Sequence, residues 1–209
     1  MSDIEKLANV LKSDFSGIEK NTNFGWGNQS LNILDCVISL NRKYKSFVEP
    51  RIADFSKNHP EIIELSSLIS LINLYQSCYD FVKQELNYND HARSETLFGV
   101  INYFFQIQAE YDSDTEFNRL QQWARSVVPE NYLSVNVKGF GLAGYQYMRM
   151  LFGAQTTKPD VHIRNYVSEA IGKKVNDTTA LDLLEKAAFL AGLPIREVDG
   201  AIWESRARK

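Results

Sequence analysis

The stretch Val137-Lys138-Gly139-Phe140-Gly141-Leu142-Ala143-Gly144-Tyr145 decides how this 209-residue chain is read. Two glycines, one residue apart, stand between segments of helical spacing, and the second opens a helix. Glycine reaches backbone angles closed to other residues and lets a ligand approach the main chain. A helix that starts on such a turn points its unpaired N–H groups outward, toward an anion. Pro159-Asp160-Val161-His162 follows, with Asp160 placed 17 residues after Ala143 at the start of the next helix. A phosphate-gripping turn followed by a carboxylate suits a protein that holds a nucleic-acid backbone and acts on what it carries. A tight turn with no ligand is the competing reading of the glycines alone.

Outward from the turn, the chain reads as helical almost throughout, an all-α fold. Ile4, Leu7, Val10 and Leu11 recur at helical spacing. Asn23-Phe24-Gly25-Trp26-Gly27-Asn28 is a glycine-rich loop, and Ser30 is the expected cap of the next helix. Residues 61–86 read as one long apolar helix, ended by Asn87-Tyr88-Asn89-Asp90. Helix 93–110, rich in Phe and Ile, is expected at the centre of the core. Thr115 to Val127 forms another helix with Leu120 and Trp123 on one face. Pro129 starts a short helix into the turn. Beyond it, helices are expected over 142–153, over 160–171 with Pro159 in the first turn, from Asp177 or Thr178 to about Ala191, and over 195–207. Gly153, Gly172 and Gly192 serve as stops. Loops are short and no strand pair or repeat is visible. Residues 1–209 are therefore expected as a single compact helical unit, with the helix-hairpin-helix at about 130–153.

Composition narrows the classes. The chain is 44% hydrophobic and 12% aromatic, which suits a soluble globule with a sizeable core. No apolar run approaches the roughly 20 residues of a membrane helix, so no membrane association is expected. The polar start, Met1-Ser2-Asp3-Ile4-Glu5, carries no visible secretory signal. Cys36 and Cys78 read as core thiols of a reduced, cytoplasmic protein, a disulfide being the alternative. His59, His91 and His162 are widely separated, so no metal site built from side chains is expected. The net charge of −3 argues against nucleic-acid binding over the whole surface. The charge is uneven, however: residues 1–133 balance at −6 and residues 134–209 at +3. That distribution fits one face meeting phosphates, or ordinary scatter.

Lys138-Gly139-Phe140-Gly141-Leu142-Ala143-Gly144 resembles the hairpin of the helix-hairpin-helix DNA glycosylase superfamily. Lys158-Pro159-Asp160-Val161-His162-Ile163 is similar to that superfamily's Val-Asp-x-His motif. Leu34-Asp35-Cys36-Val37-Ile38-Ser39-Leu40-Asn41 resembles its early conserved helix, and Val198-Asp199-Gly200-Ala201-Ile202-Trp203-Glu204 its closing helix. The similarity covers about residues 30–205. It implies a helix-hairpin-helix DNA glycosylase-like fold. The activity it implies is monofunctional DNA N-glycosylase action, hydrolysing the bond to a damaged or mismatched base flipped from double-stranded DNA. Lys138 stands where proline is usual. Ala143 stands where bifunctional members carry a lysine nucleophile, so lyase chemistry through that residue is not expected. The carboxy-terminal four-cysteine cluster is absent, so no iron–sulfur cofactor is expected. The resemblance also implies a monovalent cation held by hairpin carbonyls. The protein is expected as a monomer. A catalytically inactive DNA-binding protein of the same fold, or an all-helical protein-interaction module, are the alternatives.

The site residues follow from these motifs. Gly139, Gly141, Ala143 and Gly144 are the expected hairpin contacts to the DNA backbone, with amides of the second helix's first turn donating to phosphate. Lys138, Lys158 and Arg164 flank the same path as DNA-backbone contacts, or are solvated surface, and His162 touches phosphate or serves as a structural buttress of the turn. Asp160 is the catalytic candidate. Breaking an N-glycosidic bond builds positive charge on the sugar, which an ionised carboxylate stabilises while it orients or deprotonates water. A helix N-terminus favours the ionised form. Aspartate there also serves purely as a cap. Phe24, Trp26 and Tyr44 are candidates for the aromatic wall that holds an extruded base, with core packing as the alternative. Tyr145 and Tyr147, two apart on one helix, can face different sides.

Overall fold

The computed structural model describes residues 1–207, which form helices and turns with no strand among them. Helix α1 (Asp3–Phe15) opens on a capping box. Ser2 Oγ accepts from the Glu5 N–H, and the Glu5 carboxylate accepts from the Ser2 N–H. Helix α2 (Gln29–Ile38) is capped by Asn28, whose side chain accepts from the Leu31 N–H at 3.0 Å. Ser30, the expected cap, lies inside α2 and donates to the Glu64 carbonyl at 2.8 Å. A π-helical turn, Tyr44–Val48, leads into α3 (Glu49–Asn58).

The apolar run 61–86 is two helices, not one: α4 (Leu65–Ile72) and α5 (Cys78–Glu85). Ser77 Oγ accepts from the Asp80 N–H at 3.1 Å and starts α5 afresh. Here a local side-chain-to-backbone bond overrides apolar periodicity. Helix α6 (His91–Ile107), capped by Asp90, ends in a 3₁₀ turn over Gln108–Glu110. Helix α7 (Glu116–Ser126), capped by Thr115, is followed by a 3₁₀ turn at Pro129–Asn131 and then α8 (Tyr132–Val135). The remaining helices are α9 (Leu142–Leu151), α10 (Val161–Ile171), α11 (Asp177–Ala191) and α12 (Ile195–Ala207). Pro159 stands just outside α10, because Asp160 takes the cap position. Asn176, rather than Asp177 or Thr178, caps α11 by accepting from the Thr179 N–H at 2.8 Å.

The chain sorts into two compact units. The terminal unit joins Met1–Phe24 to the segment from Ala154 onward, and the central unit is Gly25–Gly153. The chain passes between them twice, beside Gly25 and beside Ala154, with no linker-like stretch to mark the division in composition.

In the terminal unit, α1 lies along α11, and α10 packs on α11 and α12. Its core holds Leu7, Leu11, Val167, Leu184, Val198 and Ile202. In the central unit, all ten residues of α2 are buried, against α3, α6 and α9. Helix α2 is the centre; α6, expected there, packs on it but exposes Phe98 and Phe105. Burying α2 requires partners for its polar side chains. Gln29 bonds Gln108 and the Leu65 N–H, and Asn32 bonds the Trp26 N–H and the Leu151 carbonyl. Cys36 and Cys78 are free thiols, and the Cys36 thiol donates to the Gly144 carbonyl at 3.2 Å. No helix among the described residues is long and apolar enough to cross a membrane.

Candidate functional site

The hairpin sits in the central unit between α8 and α9. Phe140 is buried and Val137 half-buried, while Lys138, Gly139 and Gly141 are exposed. Two apolar anchors thus hold an exposed backbone tip. The Phe140 N–H donates to the Val137 carbonyl at 3.1 Å, and Thr96 Oγ1 donates to the Lys138 carbonyl at 2.9 Å.

The two glycines have different reasons. Gly139 has φ +85°, and a Cβ there would lie 2.8 Å from Thr96 Oγ1. The fold itself requires glycine at that position. Gly139→Ala is expected to cost about 2 kcal/mol and lower Tm by about 4–8 °C, measured by thermal denaturation. Gly141 has φ −100°, open to any residue, and a Cβ there meets nothing within 4 Å. It is the N-cap of α9, which has no side-chain cap. The first-turn amides of α9 therefore open beside a residue that the protein's own packing leaves bare. Ala143 is half-buried. Gly144 is a packing glycine, since a Cβ there would press on the Phe140 ring at 3.0 Å and on Leu40 at 3.2 Å.

A second cluster in the same unit gathers on Asp35, which is wholly buried in α2. Trp26 Nε1 donates to Asp35 Oδ2 at 2.7 Å, Tyr44 OH to the same oxygen at 2.6 Å, and Tyr147 OH to Oδ1 at 3.0 Å. Burial and then the Asp35 charge push both phenols far above the ordinary tyrosine range, so they stay protonated donors. Trp26 and Tyr44, expected as wall candidates, are thus brought together, and α9 adds Tyr147. Tyr145, two residues earlier, turns into the core edge-on to Trp123 at 5.5 Å. Phe24 belongs to the terminal unit, where Arg196 lies 4.8 Å over its ring. Neither Asp35 nor Tyr147 was marked as part of this cluster by sequence. The available signal was a lone carboxylate inside an apolar helix.

In the terminal unit, Asp160 caps α10. Its Oδ1 accepts from the His162 N–H at 2.8 Å and the Ile163 N–H at 3.2 Å. Its Oδ2 lies 3.9 Å from Lys158 Nζ. Lys158 is only 19% exposed, so it serves this turn more than an open phosphate path. Arg164 pairs with Asp177 at 2.6 Å. His162 contributes its backbone to the cap. Beneath the turn lies Asp199 of α12, whose Oδ2 accepts from Thr157 Oγ1 at 2.5 Å and the Lys158 N–H at 2.8 Å.

Burial pushes the Asp199 carboxyl up to about 7, with the Asp160 charge adding to the rise against those two hydrogen bonds. The folded chain then holds a proton that the unfolded chain releases above about pH 4. Stability is expected to fall as pH climbs from 4 to 7 and to level off above. The contribution is about 4 kcal/mol across that window. Asp199→Asn, which mimics the protonated form, is expected to flatten the curve of Tm against pH between 4.5 and 8.

The basic excess after residue 134 is largely engaged. Arg149 is buried and donates to the Ala124 carbonyl and to Gln146. Lys173 pairs with Asp3, Lys186 with Asp182, and Arg206 with Glu169. Among the described residues, no group of three or more His, Cys, Asp or Glu side chains could hold a metal ion. No curated protein and no solved structure matches the chain. Residues 7–207, nearly the whole chain, match the family described as Domain of unknown function (DUF8548), and the chain belongs to that family.

Proposed function

We propose that this protein is a monofunctional DNA N-glycosylase of the repair type, acting on a damaged or mismatched base flipped from double-stranded DNA. Its hairpin holds the DNA backbone, and Asp160 stabilises the sugar cation and directs water. The observation that carries the reading is Gly141: a glycine that neither backbone angles nor packing demands, at the open N-terminus of a ten-residue helix. Such a position is explained by a ligand backbone that must come close. The Val137 and Lys138 carbonyls each carry one hydrogen bond. Each keeps a lone pair for a monovalent cation bridging to phosphate. Trp26, Tyr44 and Tyr147 offer aromatic surface for an extruded base, with Asp35 fixing their orientation.

Gly141→Ser tests the carrying observation. Serine is a better N-cap than glycine, so Tm is expected to hold or rise slightly. Its hydroxyl would occupy the amides that a phosphate needs. Duplex affinity, read by fluorescence anisotropy at low salt, is expected to fall at least about tenfold. Unchanged affinity in this variant would remove the hairpin from the DNA contact. Asp160's capping bonds favour a second reading, a DNA-binding protein without catalysis. It predicts salt-sensitive duplex binding and no excised base across a broad damaged-base panel.

A further inference from the structure

We propose that Asp199 is the positioning residue for Asp160. The segment entering α10 has no regular secondary structure, yet Thr156, Thr157 and Pro159 are all buried. Something other than a helix must hold it. One oxygen of Asp199 takes donors from two successive residues, the Thr157 hydroxyl and the Lys158 N–H. The Lys158 carbonyl in turn accepts from the Asp160 N–H at 2.7 Å. Pro159, between them, has its φ fixed by its ring. Asp199 therefore reaches the Asp160 backbone through a single residue, Lys158, whose N–H and carbonyl are both bonded.

The scaffold beneath is firm. Val198, next to Asp199, and Ile202, one turn on, are wholly buried in the core formed with α1, α10 and α11. Asp160 then spends Oδ1 on the first turn of α10 and presents Oδ2 on the Lys158 side. A catalytic carboxylate needs placement within a fraction of an ångström, supplied by groups whose own positions are locked. That this placement matters for chemistry rests on the glycosylase reading of Asp160. The linkage itself does not.

The experiment compares the full chain with Asp199→Ala, Asp199→Asn and Thr157→Val by NMR hydrogen exchange at the Lys158, Asp160, His162 and Ile163 amides. Asp199→Ala is expected to speed exchange at His162 and Ile163 at least tenfold. Asp199→Asn, whose Oδ1 can accept both bonds, is expected to restore protection to within about twofold. If Asp199→Ala does not fold, Thr157→Val removes one of the two bonds, and an intermediate acceleration at His162 and Ile163 is expected. Faster exchange at Lys158 alone, with His162 and Ile163 unchanged, overturns the proposal.

On an excised base, kcat is expected to fall 10- to 100-fold in the alanine variant with KM unchanged, and to recover in the asparagine variant. A kcat unchanged in Asp199→Ala also overturns the positioning role. A wild-type chain that excises nothing sinks the glycosylase reading, while the exchange data still decide whether Asp199 sets Asp160.

Discussion

Asp160→Asn is expected to lower the rate of base excision about a thousandfold while leaving the fold intact. The asparagine Oδ1 can keep both capping bonds, to the His162 and Ile163 N–H groups, now at 2.8 and 3.2 Å. Tm should therefore stay within about 2 °C of wild type. What disappears is the negative charge on the face toward Lys158, and with it the stabilisation of a sugar cation and the capacity to take a proton from water. Asp160→Ala separates the two roles. It loses the cap as well, so it is expected to be about 1 kcal/mol less stable in addition to being inactive. The check is a single-turnover assay on duplexes carrying a panel of modified and mismatched bases, with thermal denaturation alongside. Full activity in Asp160→Asn would refute the catalytic assignment and leave Asp160 as a cap.

Asp35→Ala is expected to destabilise the central unit by about 3–5 kcal/mol and to lower Tm by about 10 °C. The buried carboxylate accepts from Trp26, Tyr44 and Tyr147, so its removal takes an acceptor from three donors and leaves a cavity. A buried hydrogen bond lost without replacement costs about 1–3 kcal/mol, and the cavity adds to that. Asp35→Asn keeps the volume but turns an amide N–H₂ toward donors, and is expected to fall between wild type and alanine. Urea denaturation with an unchanged m-value checks this. A loss below about 1 kcal/mol in the alanine variant would mean that Asp35 does not hold the cluster together.

Both results bear on what a sequence can reveal. The helical character, the turn at Gly139-Phe140-Gly141 and the place of Asp160 at a helix start were legible because each depends on neighbours within a few residues. The same locality explains the misreadings. In residues 61–86 an apolar period concealed Ser77, whose single hydroxyl starts a new helix. At residue 30 a good capping residue lost to Asn28, whose side chain also reaches the Ile62 carbonyl.

The basic excess after residue 134 was a count of charges. Only the folded chain shows that Arg149 is buried and that Arg164, Lys186 and Arg206 have carboxylate partners. The sequence by itself determined an all-helical chain with a glycine hairpin and an aspartate opening a later helix. Those follow from backbone preferences and side-chain spacing, which act over one or two turns. Tertiary structure alone decided that Tyr147 rather than Tyr145 turns to Asp35, 112 residues away, and that Asp199 closes on Thr157 from 42 residues downstream. It alone decided which of the two hairpin glycines the fold requires. Such pairings depend on which faces the packed helices bring together, and a buried hydrogen bond between distant residues leaves no periodic trace in either segment.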